Sequence, residues 1–371
     1  MNDKTSTLLR RRTHLAWHIT ARCNLACPHC LRRTPTQPTA DLPPDQCRRI
    51  LDSFLDFARE TGREAEIEFS GGNPLLREDF SDLLRRAGEA KKSGLVRNIR
   101  ILGNPETLDD VMVAQLREAG VDDFVISFDG LEAANDRMRG PGSFQAGLRG
   151  MRALVAAGIP TGIKFTLVRD NADQVAAVFR LAVEEGARHF GLGPMMTVGG
   201  GWEQRDRALT PLEYRQVLLE MLGFLDQAGA CFAAPRRAFI AHNRLYALLF
   251  HELGRMAEYE TLAGANPGPF GMPRGGPNVL FVVWSNGEVV LRREMARQGW
   301  VPQQSFREIY DTSPMLHLFE EGTQIREQAK AHQRDSIRCS ACPVARFCLP
   351  GLAGTFGDQL LFAPNRLCWR P

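Results

Sequence analysis

The chain has 371 residues, 44% hydrophobic and 24% charged, with 46 Lys and Arg against 43 Asp and Glu for a formal net charge of +3. A chain of this size can bury a full core without disulfides, and so small a charge imbalance gives no electrostatic steering toward nucleic acid. Met1 to Arg12 is polar and basic without the apolar core of a secretion signal, and no apolar run reaches the roughly 20 residues that span a bilayer. No nucleic acid and no membrane is therefore the expectation, with a reducing cytoplasm as the compartment.

His14 to Thr20 is the first strand-like run. Pro43 and Pro44, followed by Asp45, open a helix that runs to about Thr61, since a proline is tolerated at the first helical position. Glu64 to Ser70 is a second strand, backed by a helix from about Glu78 to Ser93. The alternation continues as strand 98–102, helix 108–119, strand 123–128, helix 143–157, strand 161–168, helix 172–185 and strand 188–192. Six strands alternating with helices predict parallel pairing through right-handed crossovers and, at six units instead of eight, an incomplete barrel. Further on, 211–227 and 236–263 read as helices joined at a Gly-Ala-Cys turn. Residues 264–277, rich in Gly and Pro, read as a linker or flap, and 279–291 as a hairpin turning at Asn286-Gly287. The expected organisation is α/β: a partial (β/α)6 TIM-type barrel over 1–200, a helical bridge over 201–276 and a small C-terminal unit over 277–371.

Cys23, Cys27 and Cys30 follow the first strand as CxxxCxxC. Structural zinc takes four closed ligands and a disulfide takes two, whereas three thiolates can hold three irons of a 4Fe-4S cube and leave the fourth open for a substrate or cofactor. A zinc site completed by His29 or His18 is the competing reading. The second strand runs into Ser70-Gly71-Gly72-Asn73-Pro74, on its own a plain strand-to-helix turn. The fourth reads Phe124-Val-Ile-Ser-Phe-Asp-Gly130, where alternation puts Ser127 and Asp129 on the face opposite Ile126 and Phe128. Asn135-Asp-Arg-Met-Arg-Gly140 follows. Near the C-terminus, Cys339, Cys342, Cys348 and Cys368 make four thiols, a complete ligand set for a second closed 4Fe-4S cluster or for zinc. Of the nine cysteines, Cys47 and Cys231 match no ligand position and read as buried small residues.

In order and spacing these segments resemble the radical S-adenosylmethionine (SAM) enzymes. The resemblance implies that Cys23, Cys27 and Cys30 hold a [4Fe-4S] cluster whose open iron binds SAM, which is cleaved reductively to methionine and a 5′-deoxyadenosyl radical. It implies SAM contacts at Gly71, Gly72, Asn73, Ser127, Asp129 and Arg139, the arginine pairing with the SAM carboxylate. Asn73 stands where the family carries the glutamate of its GGE motif, which meets the SAM ammonium group. An amide oxygen can still accept from that ammonium without the charge assistance of a carboxylate, so Asn73→Glu is expected to keep or tighten SAM binding. The distal cysteines resemble a SPASM extension reduced to one auxiliary [4Fe-4S] cluster. Leu352 occupies the fourth cysteine position of the central run, and Arg292 stands where the preceding Gx4C would end.

Members with this architecture mostly modify peptides or proteins, so a maturase for a ribosomally made peptide is the expected function, and the Ser70-to-Pro74 variant resembles that of selenobiotic-type maturases. A haem-biosynthetic enzyme acting on tetrapyrrole side chains is the alternative, and a non-catalytic iron-sulfur or zinc protein a third. The resemblance implies an electron donor such as flavodoxin or ferredoxin. About 22 residues precede the cysteine loop, too few for a fused leader-binding domain, so a peptide substrate would be held by the barrel or by a separate leader-peptide-binding protein. The short basic runs Arg10 to Arg12 and Arg32 to Arg33 flank that loop.

Overall fold

Every second residue of the first strand, Arg12–Thr20 (β1), is apolar and buried: Leu15, Trp17 and Ile19. That alternation continues in β2 (Glu64–Gly71) through Ala65, Ile67 and Phe69, and in β3 (Val96–Leu102) through Ile99 and Ile101. A period of two with one apolar face is the signature of a sheet covered on one side only. The covering layer is helical: α1 (Pro44–Glu60), α2 (Phe80–Lys92), α3 (Asp110–Glu118), α4 (Glu132–Arg139), α5 (Ser143–Ala156) and α6 (Val175–Glu184). The computed structural model describes residues 11–33, 40–228, 245–263, 278–290, 297–301, 303–313, 331, 341–344, 351–356, 359–363 and 368.

The strands β4 (Asp123–Ser127), β5 (Thr161–Leu167) and β6 (His189–Pro194) complete six parallel strands in the order β6-β5-β4-β3-β2-β1, as the alternation predicted. The sheet does not stop there. The hairpin expected in the C-terminal unit, β7 (Asn278–Val283) and β8 (Glu288–Val290), joins the barrel, because β7 pairs parallel with β1 from Arg12↔Asn278 to Trp17↔Val283. With β9 (Arg297–Trp300) the sheet has nine strands, and the described strands do not close it into a ring. A separate antiparallel pair, β10 (Gly351–Phe356) and β11 (Gln359–Ala363), includes Leu352.

Other boundaries shift for local reasons. The helix expected over 172–185 begins as a 3-10 turn, Arg169–Gln174, and the one expected over 108–119 is preceded by another at Pro105–Thr107. After α7 (Gly200–Glu203) and α8 (Pro211–Gln227), the helix expected over 236–263 is divided into α9 (Leu245–Glu252) and α10 (Met256–Ala263) by Gly254 at φ 68°. Residues 236–244, the 264–277 linker, Arg292 and Cys231 lie outside the described residues. Among the described residues no helix is long and apolar enough to cross a membrane.

Opposite the helices, the sheet presents a polar surface. Glu64, Glu66 and Glu68 of β2 register with Arg12, His14 and Ala16 of β1, Glu68 with Arg100 of β3, and Arg100 with Asp123 of β4. The charges pair across strands: Arg12 with Glu66 at 3.7 Å, Arg100 with Asp123 at 2.8 Å and Glu68 at 3.8 Å, and His189 with Asp123 at 2.9 Å. Parallel sheets normally bury both faces, so a charged face is an open one.

The hairpin is held by aromatic packing. Phe281 of β7 meets Phe57 at 5.3 Å, Phe54 at 6.4 Å and Phe306 at 4.8 Å between ring centroids, all near edge-to-face. Phe306 opens α11 (Phe306–Thr312), and all four rings are buried. Phe281→Ala is expected to cost about 3–5 kcal/mol of stability, read as a fall in the urea midpoint at unchanged slope.

Candidate active site

The three thiols sit on a loop, residues 21–33, that contains neither helix nor strand. Its conformation is imposed from outside. At its start, Asp41 accepts from Thr20 Oγ1 at 2.6 Å and from the Ala21 N–H at 2.7 Å. Buried Arg77, fixed by Asp79, donates to the carbonyls of Ile19 and Leu42 at 2.8 and 3.0 Å. The Gly71-Gly72-Asn73 turn closes on the loop's backbone: Gly72 N–H donates to Thr20 O and Asn73 N–H to Arg22 O, both at 2.8 Å. A Cβ on Gly72 would lie 1.9 Å from Arg22 O, and Gly71 has φ 130°. The close approach that makes these glycines necessary is thus to the cysteine loop itself. On the far side, Gly200 N–H donates to Cys30 O at 3.0 Å, and a Cβ there would lie 2.2 Å from Pro28 O. Gly199 is confined by the same loop, with a Cβ position 2.3 Å from Leu31 O, whereas Gly201 closes on Met196 O of its own turn.

Asp129 is the centre of a second group. It lies just past the end of β4 and is fully buried. Its Oδ1 accepts from Thr166 N–H at 2.7 Å, its N–H donates to Asn135 Oδ1 at 2.9 Å, and its carbonyl accepts from Asn171 at 2.9 Å. Its Oδ2 meets Arg139 Nη2 at 2.7 Å and His29 Nε2 at 3.3 Å. Arg139 Nη1 in turn points to Cys27 Sγ at 4.0 Å. The structure therefore gathers Cys27, His29, Asp129 and Arg139, elements brought from β1, β4 and α4. Ser127, half-buried at the end of β4, registers with Lys164 and stands outside this group.

Burial pushes the Cys27 thiol up to about 11, so loading the loop with metal must displace a proton. Burial also lowers His29 to about 4, leaving a neutral imidazole whose Nδ1 is buried without a hydrogen-bond partner. Arg139 Nε is likewise buried and unpartnered. Two unsatisfied polar atoms beside a cysteine are groups that a small polar ligand would satisfy, so the residues present fit a SAM-type ligand over an iron-sulfur loop. Among the described residues no three His, Cys, Asp or Glu side chains are placed to hold a single metal ion. His18, the other histidine considered for zinc, bonds Ser70 Oγ at 2.9 Å and stacks on Trp284 at 4.7 Å.

The expectation for Asn73 needs correction. Its side chain is fully buried, and its oxygen already accepts from the N–H groups of Asn104 and Leu75 at 3.2 and 3.4 Å. Its amino group donates to Asn24 Oδ1 and Asn104 O at 3.0 and 3.1 Å. Both ends of the amide are used within the protein, so it is not turned toward a ligand. Asn24, Asn104 and Glu106 were missed by sequence reasoning, although an Asn-Pro-Glu run just past the end of β3 was a usable signal, since barrel sites are built at that end. Asn24 also donates to Glu106 at 2.5 Å. Cys47 is buried, as expected, its thiol pushed up to about 12 by burial. Cys342 and Cys368 are half-buried and packed against the main core, while Cys339 and Cys348 lie outside the described residues.

Residues 17–182 match the family profile described as the radical SAM superfamily, which accounts for β1 through α6. Over these residues the chain is similar to a radical SAM domain. It is similar, at 32% identity over 207 residues, to the AdoMet-dependent heme synthase of Oleidesulfovibrio alaskensis, covering 55% of this chain and 51% of the relative. It is also 32% identical to the mycofactocin maturase MftC of Mycolicibacterium smegmatis over 175 residues, 47% of this chain and 42% of the relative. The chain thus spans about half the length of these curated relatives. In fold it is similar to native anSMEcpe with bound AdoMet and Kp18Cys peptide, with a TM-score of 0.68 at 16% identity over 96% of this chain and 94% of the other.

Arg139→Ala would leave the Asp129 carboxylate buried beside a neutral imidazole. The expected cost is about 3–5 kcal/mol, and adding Asp129→Asn should recover part of it in a denaturation cycle while SAM affinity stays low in both variants.

Proposed function

We propose that this protein generates a 5′-deoxyadenosyl radical from SAM and uses it to modify a peptide or protein. The observation that carries the first half is the convergence of Cys27, His29, Asp129 and Arg139 at the C-terminal end of the barrel strands. With cluster and SAM bound, reductive cleavage of SAM supplies the radical. Cys23, Cys27 and Cys30 would hold the cluster, and Arg139, steadied by Asp129, would present its guanidinium to the SAM carboxylate. Gly71 and Gly72 would contribute backbone groups, and Ser127 a hydroxyl, to the same ligand.

The substrate reading rests on the inner sheet face. Among the described residues, Arg12, Arg100 and Lys164 stand there with Glu64, Glu66, Glu68 and Asp123, and Arg97 pairs with Glu64, so the cations do not exceed the anions and the arginines are paired across strands. A tetrapyrrole bearing several carboxylates needs an excess of cations, whereas a peptide's amides suit a balanced polar surface. The peptide-bound neighbour of similar fold and the maturase relative support the same reading. The haem-enzyme alternative is favoured by the similarity to the heme synthase and to other tetrapyrrole enzymes, an Fe-coproporphyrin III synthase and a pre-heme d1 synthase among them. Cys339, Cys342, Cys348 and Cys368 would hold a second 4Fe-4S cluster in a C-terminal unit of the SPASM type. A cytoplasmic flavodoxin or ferredoxin would supply electrons, and a separate protein the leader recognition.

Anaerobically reconstituted protein is expected to carry about eight irons per chain, falling to about four when Cys23, Cys27 and Cys30 are all replaced by alanine, with loss of 5′-deoxyadenosine formation. SAM cleavage persisting in that variant would overturn the assignment. Added Fe-coproporphyrin III should neither stimulate cleavage nor be consumed; its conversion to product would establish the tetrapyrrole alternative instead.

A further inference from the structure

We infer that Asn73 is a positioning residue for the radical-generating cluster: through Asn104 it fixes an N–H···S hydrogen bond on Cys23 and so raises that cluster's reduction potential. The inference rests on Cys23, Cys27 and Cys30 being the cluster ligands, as proposed above.

Asn104 lies two residues beyond β3, and its Nδ2 reaches Cys23 Sγ at 3.3 Å. Its backbone is gripped at both ends by one side chain, since Asn73 Oδ1 accepts from Asn104 N–H at 3.2 Å while Asn73 Nδ2 donates to Asn104 O at 3.1 Å. That paired contact fixes the peptide from which the Asn104 side chain projects. The orientation of the Asn73 amide is determined, because its oxygen faces two N–H groups and its nitrogen faces three oxygens, Asn104 O, Asn24 Oδ1 and, at 3.5 Å, Thr107 Oγ1. Asn24 is oriented in turn by donating to Glu106, and its Oδ1 also accepts from Asn104 Nδ2 at 3.2 Å. The chain of contacts runs Glu106–Asn24–Asn73–Asn104–Cys23, with each donor meeting an acceptor.

A carboxylate at residue 73 cannot take this place. It has no hydrogen to give, so it would set an anionic oxygen against Asn104 O and Asn24 Oδ1. The amide here therefore does different work from a glutamate at the same position. The consequence for the cluster follows from charge. When one electron enters from a low-potential donor, the added density spreads onto the cysteine sulfurs, and an N–H aimed at a sulfur stabilises the reduced form; the hydrogen bonds on a cluster's sulfurs are among the groups that set its potential.

The test is a dye-mediated anaerobic redox titration of the reconstituted full chain, following the EPR signal that SAM perturbs, in Asn104→Ala, Asn73→Glu and the double variant. Asn104→Ala is expected to make the cluster about tenfold harder to reduce at fixed potential, a downward shift of ~59 mV for one electron. Asn73→Glu should shift it the same way with iron content retained, and the double variant should go no further than Asn104→Ala alone, because the first residue acts through the second. Potentials unchanged in Asn104→Ala at full iron content would overturn the inference. So would an Asn73→Glu variant whose SAM affinity changes while its potential does not, since that side chain would then be meeting the cofactor. Absence of any SAM-perturbed signal in the unmodified protein would instead sink the functional reading on which the inference depends.

Discussion

A loop that carries three thiols and no regular structure has to be shaped by what is packed against it, and here that packing is backbone on backbone. Gly72 and Asn73 donate to Thr20 and Arg22 from one side, and Gly200 donates to Cys30 from the other. Neither approach leaves room for a Cβ, whose nearest neighbours would be carbonyl oxygens at 1.9 Å for Gly72 and 2.2 Å for Gly200. Turns following β2 and β6 thus clamp a loop following β1. Glycine is required because a side chain would open the clamp, and the carbonyls of Thr20 and Arg22 would lose the N–H groups that hold them.

The second organising group obeys a different rule. Asp129, Arg139 and His29 are charged or polar residues taken out of water, which is costly unless each atom finds a partner. Asp129 meets that condition through Thr166, Asn135 and Asn171, all drawn from elements that follow β4. Arg139 and His29 do not meet it completely, since Arg139 Nε and His29 Nδ1 are buried without a hydrogen-bond partner, and Arg139 reaches toward Cys27 through Nη1. Unpaired polar atoms on buried side chains that converge with a cysteine mark where a ligand belongs.

The barrel was legible because its strands keep a strict period of two over long stretches and its helices keep their own period; Leu15, Trp17 and Ile19 alternate with His14, Ala16 and His18 without a break. The placement of β7 was not legible, because parallel pairing with β1 joins segments more than 260 residues apart, as in Arg12↔Asn278, and no local pattern reports such a contact. In the candidate site, Cys27 and Arg139, which the fold brings together, were named from motif spacing. Asn24, Asn104 and Glu106 were not, since an amide's role depends on which neighbours face its two ends, and that is known only once three loops are brought together. The division of 245–263 into two helices turned on the left-handed Gly254, a residue that a helical reading can pass over.

Asn73 is where the two levels of description diverge most, and the divergence has a physical cause. Compared with a family motif, the residue looks like a glutamate that has lost its charge, and the natural inference is a weaker contact to the same ligand. In the fold it is an amide with its oxygen and nitrogen both engaged, in a position fully removed from solvent. A buried carboxylate there would have needed donors on every side, whereas Asn104 and Asn24 present oxygens to it. The substitution therefore belongs with Asn104 and Asn24 as one hydrogen-bonded set, and replacing any one of the three alone leaves the others with groups they cannot pair.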